Sequence, residues 1–599
     1  MAEKLTNEQQ AAVDSRERSL LVSAAAGSGK TKVLVERLFS YVEREGANLD
    51  DFLIITYTRA AASELRGKIA KALTERMERD PGNYHLRQQM LRVYRADIKT
   101  VDAFCTALLR ENCHLLGEDA RGHALRPDFR VLDENEAQVL RERVLARTLD
   151  DFYDCLTLGG TLLADTLGAG RDDSALEQLV LELHAKLQAQ PYEDKWLEAQ
   201  RAFWRAVPDK IEDTPYGKIL LNEVRRKARH CKNLLQRAAQ EMCANDALNQ
   251  KYAPAFLDAS YQLEALEGKT AEGWDAARGV TIAFPRLAAV KDSDGGEMKA
   301  RMKSLWDNCK ETVKGFAEIF SASSDEAVED LRTMAPAMLA LIDLTADFSR
   351  RYNEEKRRRN SADFSDQEHE AIRLLIGEDG TPTELAHIVS ARYREIMVDE
   401  YQDTNEVQNR IFDAISCKGE NLFTVGDVKQ SIYRFRLADP RIFLQHYNTW
   451  PPLEDAEEHD SAKLLLSRNF RSRKEVLDAT NFIFCNILSE EMGELDYGAD
   501  EMLRLGANYV ESSACGAEFH LLDLPTQTGE QRVRASEAEA AFVADYISNM
   551  LTSEFPIQDD KTKELRPVRE EDIVILMRSP STRLLDYRRA LEARGLHCA

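Results

Sequence analysis

The chain lacks several features that would assign it to a membrane or secreted class. No stretch of about 18 consecutive apolar residues occurs, so a membrane-spanning helix is excluded. The opening segment, MAEKLTNEQQAAVDSRERS, contains acids and no apolar core, so we expect no secretory leader. The ten cysteines form neither a CxxC pair nor a cluster spaced with histidine. This argues against structural zinc and predicts reduced thiols in a cytoplasmic protein.

Basic residues are also in short supply, with 80 Lys and Arg against 104 Asp and Glu and a net charge of −24. This balance argues only weakly against nucleic-acid binding, because a channel for a strand needs basic groups only along its lining. Two basic clusters occur, at 225–229 and 356–359. Each is either a solvated helix face or part of such a lining.

The segment 20–34, LLVSAAAGSGKTKVL, has the pattern of an apolar strand, a small-residue loop and a helix that begins at GKT. This pattern predicts a phosphate-binding P-loop, in which Lys30 reaches the β- and γ-phosphates of ATP and Thr31 binds Mg²⁺. It departs from GxxxxGK[ST] in its first position, which is alanine. The residues expected to hold the nucleotide here are Ala24, Ala25, Ala26, Gly27, Ser28, Gly29, Lys30 and Thr31.

A second motif, IMVDEYQDTN, places two acids at the end of an apolar strand. Such a Walker B pair predicts that Asp399 holds Mg²⁺ and that Glu400 polarises the attacking water. The motif lies too far beyond Lys30 for one compact P-loop core, so we expect a large insertion between them.

The order of elements predicts an α/β fold, a P-loop NTPase with a RecA-like parallel-sheet core. We expect strands at 52–58, 98–101, 422–426, 464–466 and 573–577, and helices at 59–72, 474–488 and 582–594. Residues 1–115 and 362–455 are predicted to form the first RecA-like domain. Residues 116–361 are expected to be a mostly helical insertion, and 456–599 an incomplete second RecA-like domain with its first strand at 464–466.

Several motifs resemble those of the UvrD/Rep-like superfamily 1 DNA helicases: LTNEQQAAV, TYTRAAASELRGKI, IMVDEYQDTN, TVGDVKQSIYRFRLADP and LSRNFRSRKEVLDATNFI. The versions VDAFCTALLRE, ADFSDQE and KQSIYRFRLADP are most similar to the AddA branch, the helicase–nuclease subunits of AddAB complexes. The resemblance implies an ATP-dependent 3′–5′ helicase that acts in double-strand break processing and recombinational repair. It further implies single- and double-stranded DNA as partners, a second, AddB-like protein in a heterodimer, and a C-terminal nuclease domain that this sequence does not contain.

The same resemblance implies roles for individual residues at the nucleotide. Gln9 would read the adenine edge, and Arg37 and Phe470 would pack on the two faces of the base. Gln430 would sense the γ-phosphate, and Arg471 would act as an arginine finger. Lys30 and Glu400 complete the expected catalytic set, and the expected cofactors are ATP and Mg²⁺.

The strand-facing motifs of the family imply a second set of residues that contact DNA through stacking, phosphate contacts or hydroxyl contacts. These residues are Thr56, Tyr57, Arg59, Thr100, Phe104, Tyr433, Phe435 and Arg436.

Three alternatives stay open on the sequence alone. The chain could be a stand-alone UvrD-like repair helicase, or a generic P-loop ATPase or kinase, although VGDVKQSIYRFR argues against a kinase. It could also be a truncated fragment that binds DNA and a partner protein without productive ATP turnover.

Overall fold

The structure is a computed structural model, and it describes residues 5–118, 121–167, 173–416, 419–510, 516–524, 534–559 and 562–598, without the side chains of 292–295 and 436. It has two compact units. The first consists of Met1–Gly117, Arg126–Asp128 and Phe364–Ala599, and the second of Glu118–Leu125 and Phe129–Asp363.

The strands are short. They are β1 (Leu20–Ala24), β2 (Phe52–Thr56), β3 (Asp97–Thr100), β4 (Arg130–Val131), β5 (Ser361–Ala362), β6 (Glu395–Val398), β7 (Leu422–Gly426), β8 (Ala462–Leu466), β9 (Arg468–Asn469), β10 (Arg504–Leu505), β11 (Pro556–Gln558) and β12 (Leu565–Pro567). Only β1, β2, β6, β7 and β8 coincide with apolar runs of the sequence.

Helices make up most of the remaining regular structure. Those of the first unit are α1 (Asn7–Asp14), α2 (Lys30–Glu45), α3 (Arg59–Arg79), α4 (Tyr84–Arg92) and α5 (Val101–Asn112) before the second unit. The second unit contributes α6 (Glu134–Asp154), α7 (Leu158–Leu167), α8 (Ser174–Gln188), α9 (Glu193–Arg205), α10 (Pro215–Met242), α11 (Asp246–Lys251), α12 (Ala253–Lys269), α13 (Trp274–Arg278), α14 (Asp292–Ile319) and α15 (Ser324–Arg358). The first unit then resumes with α16 (Phe364–Leu375), α17 (Glu384–Arg392), α18 (Glu406–Ile415), α19 (Pro440–Thr449), α20 (Lys474–Ile487), α21 (Glu490–Gly493), α22 (Ala535–Thr552) and α23 (Pro580–Glu592).

A six-stranded parallel sheet forms the centre of the first unit, in the order β3-β2-β6-β7-β1-β8. Every residue of β1, β2, β6 and β7 is buried, as expected for central strands covered on both faces. Because all six strands run in the same direction, their carboxyl ends lie on one edge of the sheet. The predicted mixed α/β fold with a parallel core is therefore confirmed.

The strand β8 corrects one part of the sequence interpretation, which assigned 464–466 to a second RecA-like domain. In the structure β8 pairs with β1 along its whole length, from Leu20 opposite Ala462 to Ala24 opposite Leu466. It is therefore an edge strand of the first sheet. The apolar run AKLLL could not show which sheet it joins, because every parallel strand has the same local pattern.

The second unit is mostly helical, and its helices α10, α12 and α14 enclose one apolar cluster, which includes Phe256 and Trp306. Basic residues of its two clusters, at 225–229 and 356–359, form ion pairs with acids of the same unit. Arg226 and Lys227 pair with Glu223, and Arg229 pairs with Glu267. In the other cluster, Lys356 is buried against Asp363, and Arg358 and Arg359 pair with Glu355. None of the helices in the described ranges is both long and apolar enough to cross a membrane.

The predicted strand at 573–577 is wrong. Ile573 and Ile575 pack against the cluster between α22 and α23, while Val574 and Leu576 are exposed. The side chains alternate as in a strand, but no described strand pairs with this segment. A β-strand requires hydrogen-bond partners for its backbone, and an alternating pattern alone does not supply them.

A buried ion pair joins α2 to the sheet. The Arg37 guanidinium is fully buried and donates to both carboxylate oxygens of Glu395, at 2.8 and 2.5 Å. It also donates to the Ala12 carbonyl at 2.5 Å, and the Tyr41 hydroxyl donates to Glu395 at 3.0 Å. The guanidinium therefore belongs to the core between α1, α2 and β6.

Replacing Arg37 by leucine should lower the free energy of unfolding by about 3–5 kcal/mol, because Glu395 would remain buried without its counter-ion. Urea denaturation measures this effect. The matched control is Arg44→Leu on the same helix, where an exposed pair with Asp14 is lost. It should change stability by less than about 1 kcal/mol. Equal, small losses for both variants would contradict the structural role of Arg37.

Candidate functional site

The loop between β1 and α2 has the backbone that phosphate binding requires. Gly27 and Gly29 adopt positive φ angles of 69° and 84°, which glycine adopts without steric cost. The helix begins directly at Lys30, so its N-terminus faces the loop. Ala24 is the buried last residue of β1, so a side chain there causes no strain. The missing first glycine of the motif is thus explained by its place in a strand.

The two Walker B acids directly follow β6, which is separated from β1 by β7. They therefore lie at the same edge of the sheet as this loop. The Lys30 ammonium donates to the Glu400 carboxylate at 2.6 Å. Glu400 adopts a left-handed backbone conformation with φ 52°, and its N–H donates to the Asp399 carboxylate at 3.0 Å. Burial and the neighbouring Glu400 raise the pKa of Asp399 to about 6, against the attraction of Lys30. The structure therefore brings the predicted lysine and both predicted acids together.

A hydrogen-bond network extends this site to the end of β7. The side-chain amide of Gln402 donates to Glu400 at 2.9 Å, and its carbonyl oxygen accepts from the Asp427 N–H at 2.9 Å. Asp427 in turn accepts from the Gln430 side chain at 2.8 Å. A Cβ at Gly426 would lie 2.4 Å from the Gln402 oxygen, so only glycine leaves room for this link. Gln430 is thereby connected to Glu400 through two intermediate residues.

The second segment expected at the nucleotide also reaches the loop. Phe470 donates its backbone N–H to the Gly27 carbonyl at 2.8 Å. A Cβ at Gly27 would lie 3.0 Å from the Cβ of Arg471, and the Arg471 side chain itself is exposed. Gln9 is buried on α1 and donates to the Ser28 carbonyl at 2.8 Å. These three predicted residues therefore surround the loop, and their contacts with ATP stay predictions.

Arg37 is a correction to the predicted adenine contacts. Its guanidinium is buried and its bonds to Glu395 and Ala12 occupy it in the core. Moving it onto a base would leave the Glu395 carboxylate buried and unpaired, which is costly. In this arrangement the side chain does not reach a nucleotide.

The residues present fit a magnesium–nucleotide complex. Mg²⁺ commonly takes one or two protein ligands and completes its octahedron with phosphate oxygens and water. Thr31 lies on the first turn of α2, and Asp399 at the end of β6 supplies a carboxylate. Within the described ranges, no group of three His, Cys, Asp or Glu side chains could hold a metal ion without a further ligand. Thr31 and Asp399 are therefore the residues that would hold Mg²⁺ together with a bound nucleotide.

Several predicted DNA contacts lie at or directly after the carboxyl ends of β2 and β3. Thr56 is buried and donates to the Thr58 carbonyl at 3.2 Å, and Thr100 caps α5 by accepting from the Ala103 N–H. Tyr57 shares a hydrogen bond with Thr404, and burial raises the pKa of its hydroxyl. Their hydroxyls thus already have partners inside the protein.

Phe104 is a further correction, because its ring is buried in α5 and offers no face to a base. Arg59, by contrast, is exposed on the first turn of α3. Beyond β7, Phe435 is 76% exposed and its ring lies 5.9 Å from that of Tyr433. The side chain of Arg436 lies outside the described part of the structure. Phe435, Tyr433 and Arg59 are therefore the predicted DNA contacts best placed to meet a strand.

Sequence reasoning assigned no role to four residues of this region. Asn469 contacts the loop, while Gln402 and Asp427 link Glu400 to Gln430. Glu368 is buried on α16, which packs against α5 and α18. All four lie within motifs that the sequence displays: Gln402, Asp427 and Asn469 in the helicase-like motifs, and Glu368 at the end of ADFSDQE. The local pattern does not show which side chains they contact.

Glu368 is a carboxyl group buried on α16. It accepts hydrogen bonds from Gln408 at 2.7 Å and Asn405 at 3.5 Å. Burial raises its pKa to about 7; Gln408 opposes the rise and the Asp102 carboxylate adds to it. Burial also raises the pKa of Asp102. Near neutral pH the folded protein therefore holds a proton at Glu368 that the unfolded chain has released.

Comparison with known proteins adds evidence independent of this geometry. Residues 5–451 match the family described as the UvrD/REP helicase N-terminal domain. An ATP-dependent helicase/nuclease subunit from Ruminiclostridium cellulolyticum is 33% identical over 625 aligned residues, which cover 96% of this chain and 49% of that protein. The protein of the same name from Bacillus cytotoxicus is 35% identical over 593 residues, with coverages of 96% and 47%. This chain thus spans about half the length of the curated relatives it matches.

Replacing Glu368 by glutamine should stabilise the protein at about pH 8 by about 2–3 kcal/mol. The folded-state pKa is raised from 4.5 to about 7, so wild-type stability falls as the pH rises through this window. Glutamine does not ionise and avoids that loss. Urea unfolding at a series of pH values measures the difference, which should vanish near pH 4.5. A difference that is independent of pH would contradict the assignment.

Proposed function

Because this chain belongs to the UvrD/REP helicase family, we propose that it is the ATP-driven motor portion of a DNA helicase of the AddA type. One observation carries the proposal. The sheet edge brings Lys30 within 2.6 Å of Glu400, and the Glu400 carboxylate is linked through Gln402 and Asp427 to Gln430. A phosphate-binding cation, a water-activating acid and a sensor of phosphate thus form one connected unit.

The contacts suggest how these residues work. Lys30 pairs with Glu400 in this structure, so the ammonium must leave that carboxylate when it turns to the phosphates. Glu400 is then released to accept a proton from the attacking water. Bound Mg²⁺ would neutralise developing charge on the phosphates. Gln430 reports the change through Asp427 and Gln402, and Arg471, which lies beside Gly27, stabilises the transferring group.

The coupling of ATP hydrolysis to DNA is proposed from residues near the carboxyl ends of the same β-strands. Tyr57 bonds to Thr404, four residues after Glu400, and Phe435 lies five residues after Gln430. Movements of either loop during the ATP cycle are therefore transmitted to groups that can hold a strand. In the full-length protein we propose 3′–5′ translocation on single strands, unwinding of duplex DNA, and a role in double-strand break processing and recombinational repair.

Further proposals concern the whole protein. The relatives are named as helicase/nuclease subunits, so we propose nuclease activity from the part of the relatives that this chain does not cover. The same name implies a second, AddB-like protein, with which we expect a heterodimer. We propose residues 1–115 and 362–455, together with the edge strand β8, as the first RecA-like domain, 116–361 as the helical insertion, and the residues that follow β8 as part of a second RecA-like domain. Cytoplasmic location also stays a prediction.

Binding without productive turnover is a second candidate for residues 1–599 alone. The helix α20 exposes Phe482, Ile483 and Ile487, and Leu576 is 90% exposed. Exposed apolar faces of this kind mark surfaces that pack against further structure. For this segment we therefore expect ATP binding with little or no unwinding.

Lys30→Ala should weaken binding of a fluorescent ATP analogue by roughly tenfold to a hundredfold, because a charged contact with phosphate is lost. In the full-length protein, Glu400→Gln should retain binding but lower ATP turnover with single-stranded DNA by about a hundredfold or more. The control is Lys71→Ala, an exposed lysine on α3, which should change neither. A wild-type protein that binds DNA but hydrolyses ATP at a rate indifferent to it would contradict the helicase proposal.

Phe435→Ala should weaken binding of a fluorescent oligothymidylate by about tenfold, because one base loses its stacking surface. Fluorescence anisotropy at fixed salt measures the affinity. The matched control is Tyr94→Ala, since Tyr94 is also 76% exposed but precedes β3, at the opposite edge of the sheet. Equal affinities of wild type and the Phe435 variant, or equal losses in both variants, would refute stacking at this position.

A further inference from the structure

We propose that Asn469 is a positioning residue that holds the phosphate-binding loop in its binding conformation and directs Arg471 toward the nucleotide. The inference rests on the proposed function, since it assumes that the loop binds ATP. It concerns a residue outside the expected catalytic and cofactor-binding set, and its support comes from hydrogen bonds on both sides of one side chain.

On the loop side, three consecutive carbonyls each have a donor from a distant part of the chain. The Asn469 side-chain amide donates to the Ala26 carbonyl at 2.6 Å. The Phe470 N–H donates to the Gly27 carbonyl at 2.8 Å, and Gln9 donates to the Ser28 carbonyl at 2.8 Å. Each of these three loop carbonyls thus accepts a hydrogen bond from outside the loop.

Bonding the carbonyls has a consequence for phosphate binding. In a trans peptide the C=O and N–H bonds lie in one plane and point in opposite directions, so holding the Ala26 and Ser28 carbonyls outward lets the N–H groups of the glycines that follow them turn inward. The Ser28 N–H donates to the Ala25 carbonyl at 3.1 Å within the loop. A concave array of N–H groups binds anions, and it does so best when its geometry is set before the ligand arrives. Asn469 therefore contributes to binding without contacting phosphate.

On its other side, Asn469 shapes the turn that carries the predicted arginine finger. Its side-chain oxygen accepts from the Arg471 N–H at 2.8 Å and from the Ser472 N–H at 2.7 Å. The residue is 3% exposed, so these bonds form away from water. One side chain thus joins the start of the Arg471 segment to the loop that Arg471 must reach.

Steric contact reinforces this arrangement. A Cβ at Gly27 would lie 2.7 Å from the Asn469 side-chain nitrogen and 3.0 Å from the Arg471 Cβ. The two segments touch so closely that only glycine fits between them. Displacing Asn469 would consequently shift both the loop and the arginine.

The test uses the 599-residue chain and two fluorescent nucleotides, mant-ATP and mant-ADP. Asn469→Ala removes both sets of bonds, so both nucleotides should bind about tenfold more weakly. The ratio of ATP to ADP affinity should also fall, because Arg471 is no longer directed toward the γ-phosphate. Asn469→Ser keeps a hydroxyl that can accept from the turn but does not reach Ala26. It should weaken both nucleotides about equally and leave the ratio unchanged.

The matched control is Asn481→Ala. Asn481 is 8% exposed, donates to the Leu503 carbonyl and accepts from the Leu503 N–H and the Tyr497 hydroxyl, so it has the same kind of bonds away from the loop. It should lower the unfolding midpoint in urea as much as Asn469→Ala while leaving nucleotide affinity unchanged. Equal losses of affinity in both alanine variants would show a general structural effect and overturn the proposal.

Two failures are distinguishable in these measurements. If wild type binds mant-ATP, Lys30→Ala weakens binding as expected and the Asn469 variants bind like wild type, then the positioning role is refuted and the proposed function stands. If wild type binds neither nucleotide, the proposed function fails and the role of Asn469 fails with it. The serine variant keeps the test decisive should the alanine variant not fold.

Discussion

The parallel pairing of β1 between β7 and β8 determines where every group of the nucleotide site lies. Parallel strands deliver their carboxyl ends to one edge, so the loop after β1, the acids after β6 and the glutamine after β7 meet there. The segment after β8 arrives at the same edge and carries Asn469 and Arg471. No local interaction could assemble these groups, since they come from four separate parts of the chain.

Two ion pairs in the first unit differ in burial and in the role we assign to them. Arg37 and Glu395 satisfy one another within the core and bind α2 to the sheet. Lys30 and Glu400 are partly accessible and form a pair that a phosphate can replace. Buried ion pairs that lack one partner are costly, whereas a partly hydrated pair can exchange partners. The difference in burial thus separates the structural arginine of α2 from the lysine of the same helix that is predicted to bind phosphate.

The hydrogen bonds at this edge of the sheet also suggest how a bound nucleotide and a bound DNA strand could influence one another. Gln402 connects Glu400 to Asp427, and Thr404 connects the same turn to Tyr57. Buried polar networks of this kind have few alternative arrangements, because each broken bond leaves a group without water. Under the proposed function, a change at the γ-phosphate would therefore be passed through a connected set of groups.

The sequence by itself was enough to predict the parallel α/β core, a loop of small residues between β1 and α2 and a pair of acids after β6, because these depend on local spacing and on apolar runs. The family resemblance further implied roles at the nucleotide for Gln9, Gln430, Phe470 and Arg471. Only the tertiary structure showed that β8 joins the first sheet, that 573–577 lacks a strand partner among the described residues, and that Arg37 and Phe104 are buried. It alone identified Asn469 as the residue that holds the loop. Burial and hydrogen-bond partners depend on contacts between distant segments, and the pattern of any one segment does not contain them.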